Sequence, residues 1–187
     1  MSNSIFFSVF LLFCSCTTAS IFLNAFQDNS CSSLGLFIIY EFSDIACLPA
    51  YNSSVLIFPE MQVFNYYDGN NAVSCNGTFQ QSPLDTCISV PGTVSITVTN
   101  TLPKGQFYAG KFFDNFDRVG FCAGTSPFTS YIPLNACAFQ MINTIVSANT
   151  AVQSCYYQDT SCKTLNSCDP PQSFGCDDGI LTFVTTF

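Results

Sequence analysis

The chain has 187 residues, with 12 acidic and 4 basic side chains, a net charge of −8, 12 Cys, 21 Phe and no His or Trp. A chain that is 48% apolar and only 9% charged buries too much to be disordered. Four cations cannot track a phosphate backbone, which excludes nucleic acid as a partner. Without His there is no Ser-His-Asp or Cys-His catalytic arrangement and no imidazole metal site.

Residues 1–20 read MSNSIFFSVFLLFCSCTTAS. An apolar run followed by small residues is the pattern of a secretory signal peptide, although no Lys or Arg precedes it. No later stretch reaches the length of apolar residues that a membrane span needs. The expected protein is therefore secreted, extracellular and free of a membrane span. Two N-glycosylation acceptors, Asn52 in Asn52-Ser53-Ser54 and Asn76 in Asn76-Gly77-Thr78, agree with that compartment.

From residue 21 the chain carries a degenerate repeat of about 40 residues. Four times an aromatic and an Asp precede a Cys, a second Cys follows 12 to 16 positions later, and a β-rich segment comes after it. The copies contain Phe26-Gln27-Asp28 with Cys31 and Cys47, Tyr67-Asp68 with Cys75 and Cys87, Phe116-Asp117 with Cys122 and Cys137, and Tyr157-Gln158-Asp159 with Cys162 and Cys176. Strands are expected at 62–67, at 94–99, where VSITVT alternates strictly, at 106–113, and at 180–187, rich in β-branched and aromatic residues. Asp68-Gly69 and Pro91-Gly92 mark turns. Residues 136–146 are the best helical candidate and fit a strand equally well.

These signals specify an all-β, disulfide-rich fold of Greek-key sandwich type. The linker Asn100-Thr101-Leu102-Pro103-Lys104-Gly105 divides it into a sandwich at 21–103, holding the first two copies, and one at 104–187, holding the last two; a single larger sandwich is the other reading.

Removing Cys14 and Cys16 with the signal leaves an even set of ten cysteines, whose connectivity is open on sequence grounds alone. The repeat suggests that each copy closes its own loop: Cys31–Cys47, Cys75–Cys87, Cys122–Cys137 and Cys162–Cys176, with Cys155–Cys168 left over. A loop of ~15 residues stabilises by about 3 kcal/mol. No Cys-x-x-Cys pair and no nearby basic cluster points to zinc or to a reactive thiol.

The rhythm resembles the βγ-crystallin type of Greek-key unit, on Tyr67-Asp68 followed by Cys75-Asn76-Gly77 and Phe116-Asp117 followed by Cys122-Ala123-Gly124. The first and fourth copies lack that glycine, and the family's Trp is absent. The composition is similar to that of secreted cysteine-rich proteins of social amoebae. The crystallin resemblance implies a calcium site, since Asp28-Asn29-Ser30-Cys31-Ser32-Ser33 matches the family's signature, with Asp28, Asn29 and Ser32 as oxygen ligands. An Asx-turn leading into a disulfide is the alternative for the same residues. No other cofactor is expected.

The function expected is non-enzymatic: binding or adhesion to an extracellular protein or carbohydrate, or a structural role. The stretches 32–46 and 123–136 are the expected ligand-bearing loops, with Phe128 and Tyr131 as sugar-stacking candidates. The alternatives are a small secreted toxin or inhibitor, with Thr125-Ser126-Pro127 as its reactive turn, a calcium-binding crystallin-like module, and a carboxylate hydrolase built on Asp114/Asp117 or Asp177/Asp178.

Overall fold

The computed structural model describes residues 20–32, 35–42, 47–50, 53–68, 75–90, 94–113, 122–124, 126, 128–177 and 179–187. The expected signal segment up to residue 19, Asn52, Asp114, Asp117, Thr125, Pro127 and Asp178 lie outside the described residues.

The chain is all-β. In order the strands are β1 (Ile21–Phe26), β2 (Leu36–Phe42), β3 (Cys47–Ala50), β4 (Ser53–Phe58), β5 (Val63–Asp68), β6 (Phe79–Pro83), β7 (Ile88–Val90), β8 (Val94–Thr99), β9 (Gln106–Phe112), β10 (Phe128–Pro133), β11 (Met141–Val146), β12 (Ala151–Tyr157), β13 (Leu165–Cys168), β14 (Gln172–Ser173), β15 (Gly175–Asp177) and β16 (Ile180–Thr186), with one 3-10 turn at Pro59–Met61. Among the described residues no helix is long and apolar enough to cross a membrane. The stretch 136–146 is a turn followed by β11, whose β-branched Ile, Thr and Val suit the pleat.

Eight strands form one antiparallel sheet in the order β15-β16-β9-β10-β2-β1-β8-β7. Setting β7, β8, β1 and β2 against β15, β16, β9 and β10 gives the same order from either edge, with the β2–β10 junction at the centre. A second sheet, β3-β4-β5-β6, covers one face of the first half of the large sheet, and a third holds β11-β12-β13 with β14 also paired to β12. β13 and β14 lie along the same strand and are separated by Asp169-Pro170-Pro171, where proline removes two ladder donors.

Alternation places Ile21, Leu23 and Ala25 of β1 on one face and Phe22, Asn24 and Phe26 on the other; all six are buried. The first face forms the sandwich core with Val55, Ile57, Phe64, Tyr66, Ile88, Val90, Ile96 and Val98. The second meets Ile39, Phe107, Ala109 and Tyr131 across the central junction, so this apolar cluster ties the two halves of the large sheet together. Phe187 packs on Phe107 and Tyr131, and its backbone exchanges two hydrogen bonds with Gly105.

Five disulfides are present: Cys31–Cys87, Cys47–Cys75, Cys122–Cys176, Cys137–Cys162 and Cys155–Cys168. Of the pairs expected from the spacing only Cys155–Cys168 is among them; these two cysteines face each other across β12 and β13. Cys31–Cys47, Cys75–Cys87, Cys122–Cys137 and Cys162–Cys176 are not formed. The two cysteines of each of these pairs bracket strands rather than a loop: β2, β6, β10 and the β13–β14 stretch. A seven-residue strand such as β2 extends about 23 Å, far beyond the Cα separation of roughly 4–7 Å that a disulfide tolerates.

The bridges instead join the expected copies in pairs. Cys31 bonds Cys87 and Cys47 bonds Cys75, over 56 and 28 residues in the first half, and Cys122 bonds Cys176 and Cys137 bonds Cys162, over 54 and 25 in the second. Strand exchange accounts for this. β1 and β2 lie in the large sheet while β3 and β4 lie in the small one; β5 and β6 lie in the small sheet while β7 and β8 return to the large one. Cys47 therefore crosses to the layer that holds Cys75, and Cys87 returns to the layer that holds Cys31.

Candidate ligand cleft

One continuous row of paired residues crosses the large sheet: Val98–Leu23–Tyr40–Ser130–Gly110–Thr182. The central pair is Tyr40 with Ser130, and each step outward brings counterparts of the two halves together: Leu23 with Gly110, and Val98 with Thr182. In the first half this row is apolar and fills the sandwich, and Leu23 and Val98 are wholly buried. In the second half the counterparts are a glycine and two hydroxyl residues, which cannot fill the same space.

The vacated space is a cleft of about 650 Å³. Its floor is Gly110 with Ser130 and Thr182 on either side. β9 alternates Tyr108, Gly110 and Phe112 on this face, so two rings stand as walls about 13 Å apart along the strand. Tyr108 leans on Phe174, with ring centroids 6.2 Å apart, and Phe112 stacks on Phe128 at 4.3 Å. Ile132 and Ile180 complete the apolar lining.

The roof is the segment from Gln172 to Asp177, which passes from the third sheet to the large one. Gly175, at φ 144°, makes the switch in a conformation that an L side chain resists. Disulfides hold the roof from both directions, Cys168 to Cys155 before it and Cys176 to Cys122 within it. Thr182 Oγ1 donates to the Gly175 carbonyl and accepts from the Gly175 N–H, both at 3.2 Å.

Burial raises the Tyr108 phenol above its ordinary range, and its hydrogen bond with Thr182 opposes that in part. Ser130 is nine-tenths buried, and its Oγ donates to the Gly110 carbonyl at 3.5 Å, the long end of hydrogen-bonding distance. Asp177 lies at the exposed rim. Among the described residues the lining carries no cationic side chain.

Several residues singled out in the sequence have other tasks. The expected loops 32–46 and 123–136 contain β2 and β10, the two central strands of the large sheet. Tyr131 is buried, on the face opposite the cleft, and its hydroxyl donates to Glu41 Oε2. Burial first, then the hydrogen bond and charge of Glu41, holds its phenol well above the ordinary range. Phe128 is half-buried, backs Phe112 and packs against Tyr40 and Phe42.

Asp28 closes an Asx-turn. Oδ1 accepts from Ser30 N at 2.9 Å, Ser30 Oγ at 3.1 Å and Ser32 N at 3.2 Å, while Oδ2 accepts from the Ser32 hydroxyl. These bonds, led by that of the Ser32 side chain, lower its pKa to about 2. The turn sets Cys31 at φ 51° for its disulfide, and Gly35 packs so closely that a Cβ there would lie 2.0 Å from Asp28 Oδ2.

Asp159 repeats the arrangement with Ser161, Lys163 and Thr164 before Cys162, also at φ 51°. Its pKa is lowered further, led by the Ser161 side chain. Among the described residues no group of three or more Cys, Asp or Glu forms a metal-binding cluster. Asn29 is exposed, as is Asn76, the latter beside the bonded Cys75.

Tyr108, Gly110, Ser130, Phe174 and Thr182 escaped the sequence reading. The signal that identifies them is the glycine flanked by same-face aromatics within a strand, since a strand-interior glycine marks a bulge or the close approach of another group. No protein-family model, curated protein or solved structure matches the chain.

Proposed function

We propose that this is a secreted, non-catalytic binding protein whose ligand seat is the cleft beside Gly110. One observation carries the reading: a row that is Val98–Leu23–Tyr40 in the filled half becomes Thr182–Gly110–Ser130 in the hollow one. An open cleft of that size leaves Tyr108, Phe112, Ile132 and Ile180 facing water, and a ligand that fills it buries them.

The secreted compartment is supported by the five disulfides, which persist in oxidising surroundings, and by the leader pattern of residues 1–20. Asn76 is placed at the surface, where a glycan fits. Four copies that exchange strands, with reciprocal bridges, account for the cysteine spacing. Binding rather than catalysis is favoured by a lining in which Asp177 is the single carboxylate among the described residues and Cys176 is tied up in a disulfide.

The full chain, expressed in a eukaryotic secretory host, is expected in the medium, oxidised and glycosylated at Asn76. A thermal-shift screen of extracellular small molecules then compares wild type with Gly110→Leu, which places in the slot the side chain its counterpart already carries. A compound that raises Tm of wild type and not of the variant supports the reading. Compounds that shift both proteins equally, or retention of a reduced chain inside the cell, contradict it.

A further inference from the structure

Resting on the cleft as the ligand seat, we infer that it takes the ring of an uncharged saccharide, seated over the Gly110 backbone between the walls of Tyr108 and Phe112. A pyranose has C–H groups clustered on its ring faces and hydroxyls around its rim. An aromatic ring presents a negative face that attracts polarised C–H groups, so a sugar ring gains contact with it without losing the hydration of its hydroxyls.

The floor supplies what the rim needs. Ser130 is nine-tenths buried and its Oγ makes only a long contact to the Gly110 carbonyl, so a sugar hydroxyl at this point improves its hydrogen bonding. Gln172, from the roof, offers two donors and an acceptor at the mouth. The glycine matters in the same way: a Cβ at 110 would touch Ser130 Oγ at 3.4 Å and Ile180 at 3.6 Å, so any longer side chain projects into the seat itself.

Charge selects against the other candidates. The net charge of −8 and Asp177 at the rim repel anionic ligands, and among the described residues no cation lines the cleft to hold them. An ammonium ligand wants a carboxylate at depth, yet the deep polar atoms are hydroxyls and Asp177 is exposed. An acyl chain would bury the Ser130 hydroxyl, with its long bond to the Gly110 carbonyl, against hydrocarbon, which costs roughly 1–3 kcal/mol for a polar group left poorly paired.

The test is titration calorimetry of the secreted full chain against neutral mono- and oligosaccharides, with tetraalkylammonium and medium-chain alcohols as comparison probes. The variants are Gly110→Leu and Ser130→Ala, the second chosen because it removes one oxygen and leaves packing unchanged; near-UV circular dichroism and Tm confirm that both fold. A neutral saccharide should bind wild type, lose about tenfold in affinity with Ser130→Ala and lose all measurable binding with Gly110→Leu. Binding of an ammonium or alcohol probe instead, abolished by Gly110→Leu, overturns the saccharide assignment and leaves the cleft as the seat. Saccharide binding that Gly110→Leu leaves unchanged overturns the cleft reading as well.

Discussion

Leu23 and Gly110 occupy matching places in the large sheet and do opposite things. Leu23 is wholly buried among Val55, Phe64 and Val98, so Leu23→Ala should cost about 2–5 kcal/mol, measured by denaturant unfolding. Gly110→Ala adds a methyl group at ordinary contact distance from its neighbours and removes backbone freedom from the unfolded chain, so it should change stability by less than about 1 kcal/mol. Equal losses at both positions would show that the second half is packed like the first. The Asp28 carboxylate provides a pH handle. Its pKa is about 2 in the fold against ~3.9 in an unfolded chain, so the stability it confers is present above pH 4 and is lost as pH falls toward 2. Asp159 acts in the same direction. The double variant Asp28→Asn, Asp159→Asn should therefore have a lower Tm at pH 7 and a shallower fall in Tm between pH 4 and 2 than wild type. An unchanged acid slope would assign the acid sensitivity to other groups. Asp28 was visible in the sequence as an oxygen ligand or a turn former; only the geometry shows its oxygens engaged by Ser30 and Ser32.

The strands were readable wherever alternation or β-branched residues marked them. VSITVT became β8 with the expected bounds, and 106–113 and 180–187 lost only a terminal residue. β2 and β10 sit between cysteines and carry the look of loops in the sequence, because a cysteine spacing does not reveal whether the intervening chain doubles back or runs straight. The same ambiguity misled the bridge assignment: bonds within a copy assume a local fold, whereas strand exchange between layers makes the partners distant in sequence. Longer closed loops restrict the unfolded chain more, so the bridges spanning 56 and 54 residues should each contribute about 4 kcal/mol, more than the short loops expected from the spacing. Cys155–Cys168 differs in kind, because it joins facing residues of an exposed β13 edge and closes 13 residues. The variant Cys155→Ser, Cys168→Ser should keep the other four bridges by non-reducing peptide mapping, while limited proteolysis cuts first between residues 165 and 175. Scrambling of the remaining cysteines would mean that this bridge guides folding of the whole second half.

In the whole molecule, one continuous sheet carries two halves that differ in what they enclose. The sequence was sufficient for the class of fold, since sparse charge, many aromatics and period-two segments leave few alternatives to a disulfide-rich β architecture. It was not sufficient for the cleft, whose parts lie on β9, β10, β16 and the roof and whose meaning depends on comparison with residues about 87 positions earlier on the paired row. The filled half serves as an internal control for the hollow one. Amide hydrogen exchange of the full chain, with and without a saturating neutral saccharide, exploits that symmetry. The account predicts slower exchange in 106–112, 128–132 and 172–182 on binding, with 21–26, 36–42 and 94–99 unchanged; protection confined to the first half, or spread equally over both, would contradict it.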